Sequence, residues 1–215
     1  MAAKNIIVIS KGIIHPPVTG RIALRRTLRR LVRSGRLRSF REVRSFQALL
    51  RPRILEDCSA ILVYVHEKAI STQALAVFDG FVRAGGGVLA IHSASASFKK
   101  TPRYSEIIGG SFRGHGTVEM LDIRPRDPPG PEAADDPFRG IAGFETRDEL
   151  YIHEHSPGIR RHFVCRHDGA DVPVVWTHLL GAGRVCCASL GHLGSTMRNA
   201  AYQRVLEKGL AWASG

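Results

Sequence analysis

The sequence predicts a three-layer α/β sandwich built on a mostly parallel sheet, and three observations carry that prediction. Short β-branched runs recur at Asn5 to Ser10, Ala60 to Val65 and Val88 to Ile91. None alternates polar with apolar residues, the pattern of strands covered on both faces. Helical spacings separate them: Leu24, Leu28, Leu31 and Val32 with arginines on the opposite face, then Ala74, Val77, Phe78, Phe81 and Val82. Strand alternating with helix predicts parallel βαβ units.

Taken in order, the first run opens the sheet and Gly35 closes the arginine-rich helix. A further strand is expected near Phe40 to Phe46. Gly85-Gly86-Gly87 ends the next helix and drops the chain into the third run. From Arg124 to Gly143 the sequence turns to Pro, Gly and Asp, with Pro125, Pro128, Pro129, Pro131 and Pro137. This reads as a long loop or excursion of the kind that often carries function. Order returns in Val172 to Thr177, in Gly183 to Ser189, and in a closing helix through Tyr202, Val205, Leu206, Leu210 and Trp212. No repeat divides the chain, so residues 1–215 are expected to form a single domain of flavodoxin-like type with antiparallel additions in its second half.

Composition narrows the function. With 44% hydrophobic residues in 215, the chain can bury a sizeable core, which excludes wholesale disorder. The net charge of +12 points first toward a polyanion. Yet twelve arginines lie between Arg21 and Arg53 against one acid, Glu42, and the remainder is close to neutral. The charge therefore belongs to one helix and its flank. Few aromatic residues stand there for base stacking, only Phe40 and Phe46, so nucleic acid is a disfavoured partner. Cys58, Cys165, Cys186 and Cys187 show no CxxC spacing, and the adjacent pair should face opposite ways in an apolar run. Reduced thiols, no apolar stretch of membrane-spanning length and no signal-cleavage pattern give a cytoplasmic expectation with no membrane partner.

In open α/β sheets ligands collect beyond the carboxyl ends of the strands. That rule selects His15 after the first run, His66 and Glu67 after Val65, His92 after Ile91, and His192 after Ser189. His92 is the most informative, because a buried strand ending in a small-residue turn is where a nucleophile elbow would sit. The tip carries His92 with Ser93 beside it, in place of a nucleophile activated by a base, and so favours acid, base or metal-ligand chemistry. A second group comes from His115, flanked by Gly114 and Gly116, and from the stretch Asp148 to His155. Glu149, His153 and His155 would share one strand face, a conceivable but non-standard cation site. The plain alternative for Glu149 is a surface carboxylate at a strand start.

Several ordered segments together resemble one family. They are Phe81 to Ala94, Tyr104 to His115, Asp148-Glu-Leu-Tyr151, Pro173 to Thr177, Gly181 to Val185, and Ser189-Leu-Gly-His192, with an early His15-Pro16. The series resembles the ThuA-like (trehalose utilisation) family of the class I glutamine amidotransferase-like superfamily and covers most of residues 5–213. The chain departs from glutamine amidotransferases at two places: the elbow has His92 instead of Cys, and Leu193 and Gly194 follow His192 where a Pro and a Glu would stand. Glutamine hydrolysis by the usual route is therefore not expected.

The resemblance implies carbohydrate metabolism on a keto-sugar or keto-disaccharide, with an NAD-dependent sugar dehydrogenase as a pathway partner. On that reading His92, His192 and Glu149 are the catalytic candidates, and His15, Ser93, His115 and Tyr151 bind substrate. A divalent metal such as zinc would be held by His92, His115 and His192. Whether the protein is an enzyme stays open, as does self-association into a homo-oligomer. The alternative is a non-catalytic binding or regulatory module whose arginine helix docks an anionic partner.

Overall fold

A computed structural model describes residues 4–126 and 136–215. Its centre is a nine-stranded sheet with strand order β2-β1-β3-β4-β9-β8-β7-β5-β6. The first half supplies β1 (Asn5–Lys11), α1 (Val18–Arg33), β2 (Ser39–Val43), β3 (Cys58–Val65), α2 (Thr72–Arg83), β4 (Gly87–Ile91) and α3 (Pro102–Ile108). The second supplies β5 (Gly110–Pro125), β6 (Phe144–His155), β7 (Arg160–His167), β8 (Ala170–Leu180), β9 (Gly183–Ala188), α4 (Gly194–Arg198) and α5 (Ala200–Ala213).

The expected runs are β1, β3 and β4, each apolar because both faces are covered. Ile6, Val8, Leu62, Tyr64, Leu89 and Ile91 pack with α1, α4 and α5 on one side. Ile7, Ile9, Ile61, Val63, Val88 and Ala90 pack with α2 and α3 on the other. Cys186 faces the first layer and Cys187 the second, as the period of a strand requires, and all four cysteines are free. Ser71 caps α2 through the Ala74 amide, and Gly85 (φ +112°) makes the turn from α2 into β4.

The expectation of a mostly parallel sheet is corrected. The pairings β2-β1, β1-β3, β3-β4 and β4-β9 are parallel, whereas β9-β8, β8-β7, β7-β5 and β5-β6 are antiparallel. The reason is turn chemistry. Asp168-Gly169, both at positive φ, joins β7 to β8 between the paired residues His167 and Ala170. Gly181-Ala182 joins β8 to β9 between Leu180 and Gly183. Two-residue loops of this kind close hairpins, which are antiparallel by construction.

The Pro-rich excursion divides into parts. Arg124 and Pro125 end β5, while Phe138 and Ile141 are buried against the helix layer of α5. Residues 127–135 of that expected loop lie outside the described residues.

Part of the arginine excess serves the fold. On one flank of α1, Arg25 pairs with Glu42 of β2. On the other, Arg30 pairs with Glu207 of α5, and Arg36 reaches the same carboxylate at 3.0 Å. Arg26, Arg29 and Arg33 are exposed and make no ion pair among the described residues. Among the described residues no helix is long and apolar enough to cross a membrane.

Candidate functional site

β1, β3, β4 and β9 lie side by side and run in the same direction, so their carboxyl ends form one edge. His15, His66, His92 and His192 all lie just beyond it. The rings of His15 and His192 are 4.8 Å apart, those of His92 and His192 5.5 Å, and those of His15 and His66 5.8 Å. His66 is exposed at the rim, whereas His92 is fully buried.

His92 occupies the elbow. It follows β4 directly and has φ +47°, a left-handed conformation that costs energy for a side chain of this size. Its Nδ1 lies 3.0 Å from the Ser189 carbonyl, which can only accept, so Nδ1 carries the proton and Nε2 presents a lone pair to the site. The Tyr151 hydroxyl donates to that Nε2 at 3.2 Å. Burial holds His92 well below its ordinary pKa, keeping it neutral. Ser93, beside it, is fully buried and its hydroxyl has no partner.

Glu149 enters from β6, and here the surface-carboxylate alternative fails. It stands mid-strand and is only 7% exposed. Its Oε2 is 3.3 Å from His192 Nδ1 and 3.8 Å from His92 Nε2, and its Oε1 is 3.7 Å from His115 Nδ1. None of these contacts is aligned as a hydrogen bond. Among the described residues Glu149 Oε2, His192 Nδ1 and His15 Nδ1 are buried polar atoms without a hydrogen-bond partner. Burial, then the neighbouring His192, lowers the pKa of His15.

Asp148 was not singled out from the sequence, and it fastens the site together. Wholly buried, its Oδ1 accepts from the amides of Glu149 at 2.8 Å and His192 at 2.9 Å, and its Oδ2 accepts from Gly191 at 3.1 Å. One carboxylate thus ties the β6 segment bearing Glu149 to the loop bearing His192. Burial raises its pKa, and the hydrogen bonds it accepts work against that rise. Gly191 (φ +126°) completes the clasp by accepting from the Tyr64 hydroxyl at 2.6 Å. A carboxylate directly before Glu149 in a strand was the only signal available for it.

Four ligand atoms, one each from His15, His92, Glu149 and His192, lie within 4.8 Å of one another. His115 stands outside this group, half-exposed against the far oxygen of Glu149, and differs in that respect from the expected His92, His115 and His192 set. Three imidazoles and a carboxylate are a donor set suited to zinc or a similar divalent ion. The unpaired buried atoms are the observation that makes the fit, since burying them without a partner is costly.

His115, Tyr151 and Phe112 form a shelf beside these residues. The Phe112 and Tyr151 rings are 4.8 Å apart, and His115 stacks on Tyr151 at 5.3 Å. Burial first, and Glu149 next, push the Tyr151 phenol well above its ordinary pKa, so it remains a proton donor. A Cβ on Gly114 or Gly116 would meet no protein atom within 4 Å, so neither glycine makes room for another described segment of the chain. They accompany irregularities in the β5–β6 register that bend the strand over the site.

His153 and His155 share a face with Glu149 but the strand carries them away from it. His153 Nε2 is 3.0 Å from Ser95 Oγ, and both rings meet the edge of Trp176. Burial lowers His153 to about 3 and His155 to about 4. Both lie below the ordinary histidine value of about 6.5, so the unfolded chain takes up more protons across that window. Their contribution to stability is complete above about pH 6.5 and is lost as pH falls toward about 3 for His153 and about 4 for His155, at up to about 1.4 kcal/mol per pH unit for His153. His155, more exposed, gives less. Melting curves should show the slope flattened in His153→Gln, and an unchanged slope would contradict this origin.

An α/β sandwich with a histidine-carboxylate centre beyond the carboxyl ends of its parallel strands is the class that fold and site define. The family model described as "Trehalose utilisation" (ThuA) matches residues 5–213, and the chain belongs to that family. Among solved structures, a ThuA-like protein from Parabacteroides merdae superposes with a TM-score of 0.80 at 19% identity, covering 100% of this chain and 90% of its own. One from Bacteroides uniformis gives 0.78 at 13% identity, with 99% and 91% covered. A GH42 β-galactosidase from G. stearothermophilus gives 0.62 at 13% identity, covering 97% of this chain but 30% of the enzyme. No curated protein matches the sequence. The family places the chain in carbohydrate metabolism with a sugar-related small-molecule ligand.

Proposed function

We propose that this protein acts on a keto-sugar or keto-disaccharide at the His15–His92–Glu149–His192 centre. The observation that carries the reading is the convergence of four ligand atoms, three of which belong to residues with unpaired buried donors or acceptors. A divalent ion held by these four side chains would polarise a sugar carbonyl oxygen. His92 Nε2, fixed as the unprotonated nitrogen by Ser189, and Glu149 Oε2 would be ligand atoms to that ion, which leaves Glu149 Oε1, on the His115 side, as the oxygen that accepts a proton from substrate. The Tyr151 hydroxyl donates. The Phe112, Tyr151 and His115 rings offer flat apolar faces to the C–H face of a sugar ring. An NAD-dependent sugar dehydrogenase, which generates such a carbonyl by oxidation, is the pathway partner this chemistry calls for. The same elbow lacks a thiol, so the reading excludes glutamine hydrolysis through it.

His92→Ala and His192→Ala should each lower kcat/KM on a keto derivative of trehalose by about 100-fold or more with the fold retained, and His92→Ala, which leaves a cavity at a positive φ, should also lower the melting temperature. Unchanged turnover in both would overturn the assignment. A second reading, a non-catalytic module docking an anionic partner through α1, draws on Arg26, Arg29 and Arg33, which are exposed on that helix. A purified protein indifferent to metal and inert on keto-sugars would favour it.

A further inference from the structure

The mouth of the site is cationic on one side and aromatic on the other. Lys68 follows β3 and Lys99 follows the His92–Ala96 turn, and the two segments are bound together. The Glu67 amide donates to Ser97 Oγ at 3.1 Å, and the Phe98 amide donates to the Glu67 carbonyl at 2.9 Å. Lys99 is exposed, and its ammonium lies against an aromatic ring. Its Nζ sits 4.3 Å from the centroid of Phe112, the outer ring of the shelf that leads through Tyr151 to His92. Burial first, then His15, and then Lys99 and Lys68 lower the pKa of His66. Lys11, Lys68 and Lys99 make no ion pair among the described residues, and the nearby carboxylate, Glu67, is half-buried and faces Lys11.

We infer that the site takes an oxidised sugar bearing an anionic substituent, a carboxylate or a phosphate, and that Lys99 is the residue that selects for it. The inference rests on the keto-sugar reading and names the substrate class within it. A sugar ring laid on Phe112 and Tyr151, with its carbonyl toward His92 and Glu149, directs its far substituent to the Lys99 ammonium. Folding the lysine over Phe112 pre-places the charge at that position, where a neutral hydroxymethyl group would gain little from it. Lys68 adds to the same potential without holding a fixed contact to the shelf.

Two matched ligand pairs test this on the full chain by calorimetry, with and without zinc. 5-Keto-D-gluconate is L-sorbose with its terminal carbon oxidised to a carboxylate, and fructose 6-phosphate is the phosphorylated partner of fructose. In each pair the carbonyl lies away from the anion, so chelation of both by one ion does not mimic recognition by Lys99. The expected result is a preference of roughly tenfold for the anionic member of one pair, which identifies carboxylate or phosphate as the group read. The preference should shrink with added salt, and Lys99→Gln should bring the ratio of the two affinities close to one. Equal affinities within both pairs, no binding of either anionic member, or a preference that survives Lys99→Gln would each overturn the inference. A Lys99-dependent preference in a protein that binds no zinc would leave it standing and count against the metal centre alone.

Discussion

Glu149→Gln is expected to weaken zinc binding by about 100-fold or more, measured by competition with a chromophoric chelator. The carboxylate is the single anion among the four converging side chains, and its partner His92 is a fully buried imidazole that burial keeps neutral, while burial also lowers the pKa of His15. Gln preserves the shape and the strand while removing the charge that compensates a dication in a low-dielectric setting. The Tyr151 phenol, whose pKa Glu149 helps to raise, should ionise at lower pH in the variant, giving a spectroscopic readout independent of metal. Unaltered zinc affinity would remove Glu149 from the centre.

Asp148→Ala is expected to damage fold and site together. Three amides, those of Glu149, Gly191 and His192, would lose their acceptor inside the protein. An unsatisfied buried donor costs about 1–3 kcal/mol, so a loss of about 3–5 kcal/mol is expected, or a fall of about 10 °C in melting temperature at this chain length. Asp148 touches none of the proposed reacting atoms, so it acts by position: zinc affinity should fall in the part of the population that stays folded. Asp148→Asn, which keeps one acceptor oxygen, should recover part of the stability. A variant as stable as the parent would show that the β6 segment and the His192 loop are held by other contacts.

What the sequence made legible follows from local rules. His15, His66, His92 and His192 could be placed at one edge because unalternating β-branched runs identify buried parallel strands, and such strands end together. The elbow was visible because Gly85 to Ala94 combines a turn, a strand and small residues, and His92 does adopt the left-handed backbone there. The opposite facing of Cys186 and Cys187 followed from strand period alone.

The remainder depended on contacts between distant segments. From the residues alone Glu149 stays open between a surface acid and a site carboxylate, because nothing adjacent announces that β6 is drawn over the strand ends, and that placement comes with Asp148 clasping residues more than forty positions away. His153 and His155 share its face, but four residues of strand amount to about 13 Å, so alternation alone overreached. The Asp168-Gly169 turn was legible in principle, since Asp-Gly between apolar runs is a hairpin signal, and reading it would have corrected the parallel sheet. The arginine segment spoke of a partner in composition, yet Arg25, Arg30 and Arg36 are partly absorbed by Glu42 and Glu207.

The central claim is that His15, His92, Glu149 and His192 form one divalent-cation centre, and anomalous diffraction at the zinc edge from a zinc-soaked crystal tests it most directly. The account predicts one strong peak about 2.0–2.2 Å from an atom of each of the four side chains. A well-soaked crystal with no peak at that position, or with its strong peak at His153 and His155 instead, would contradict it.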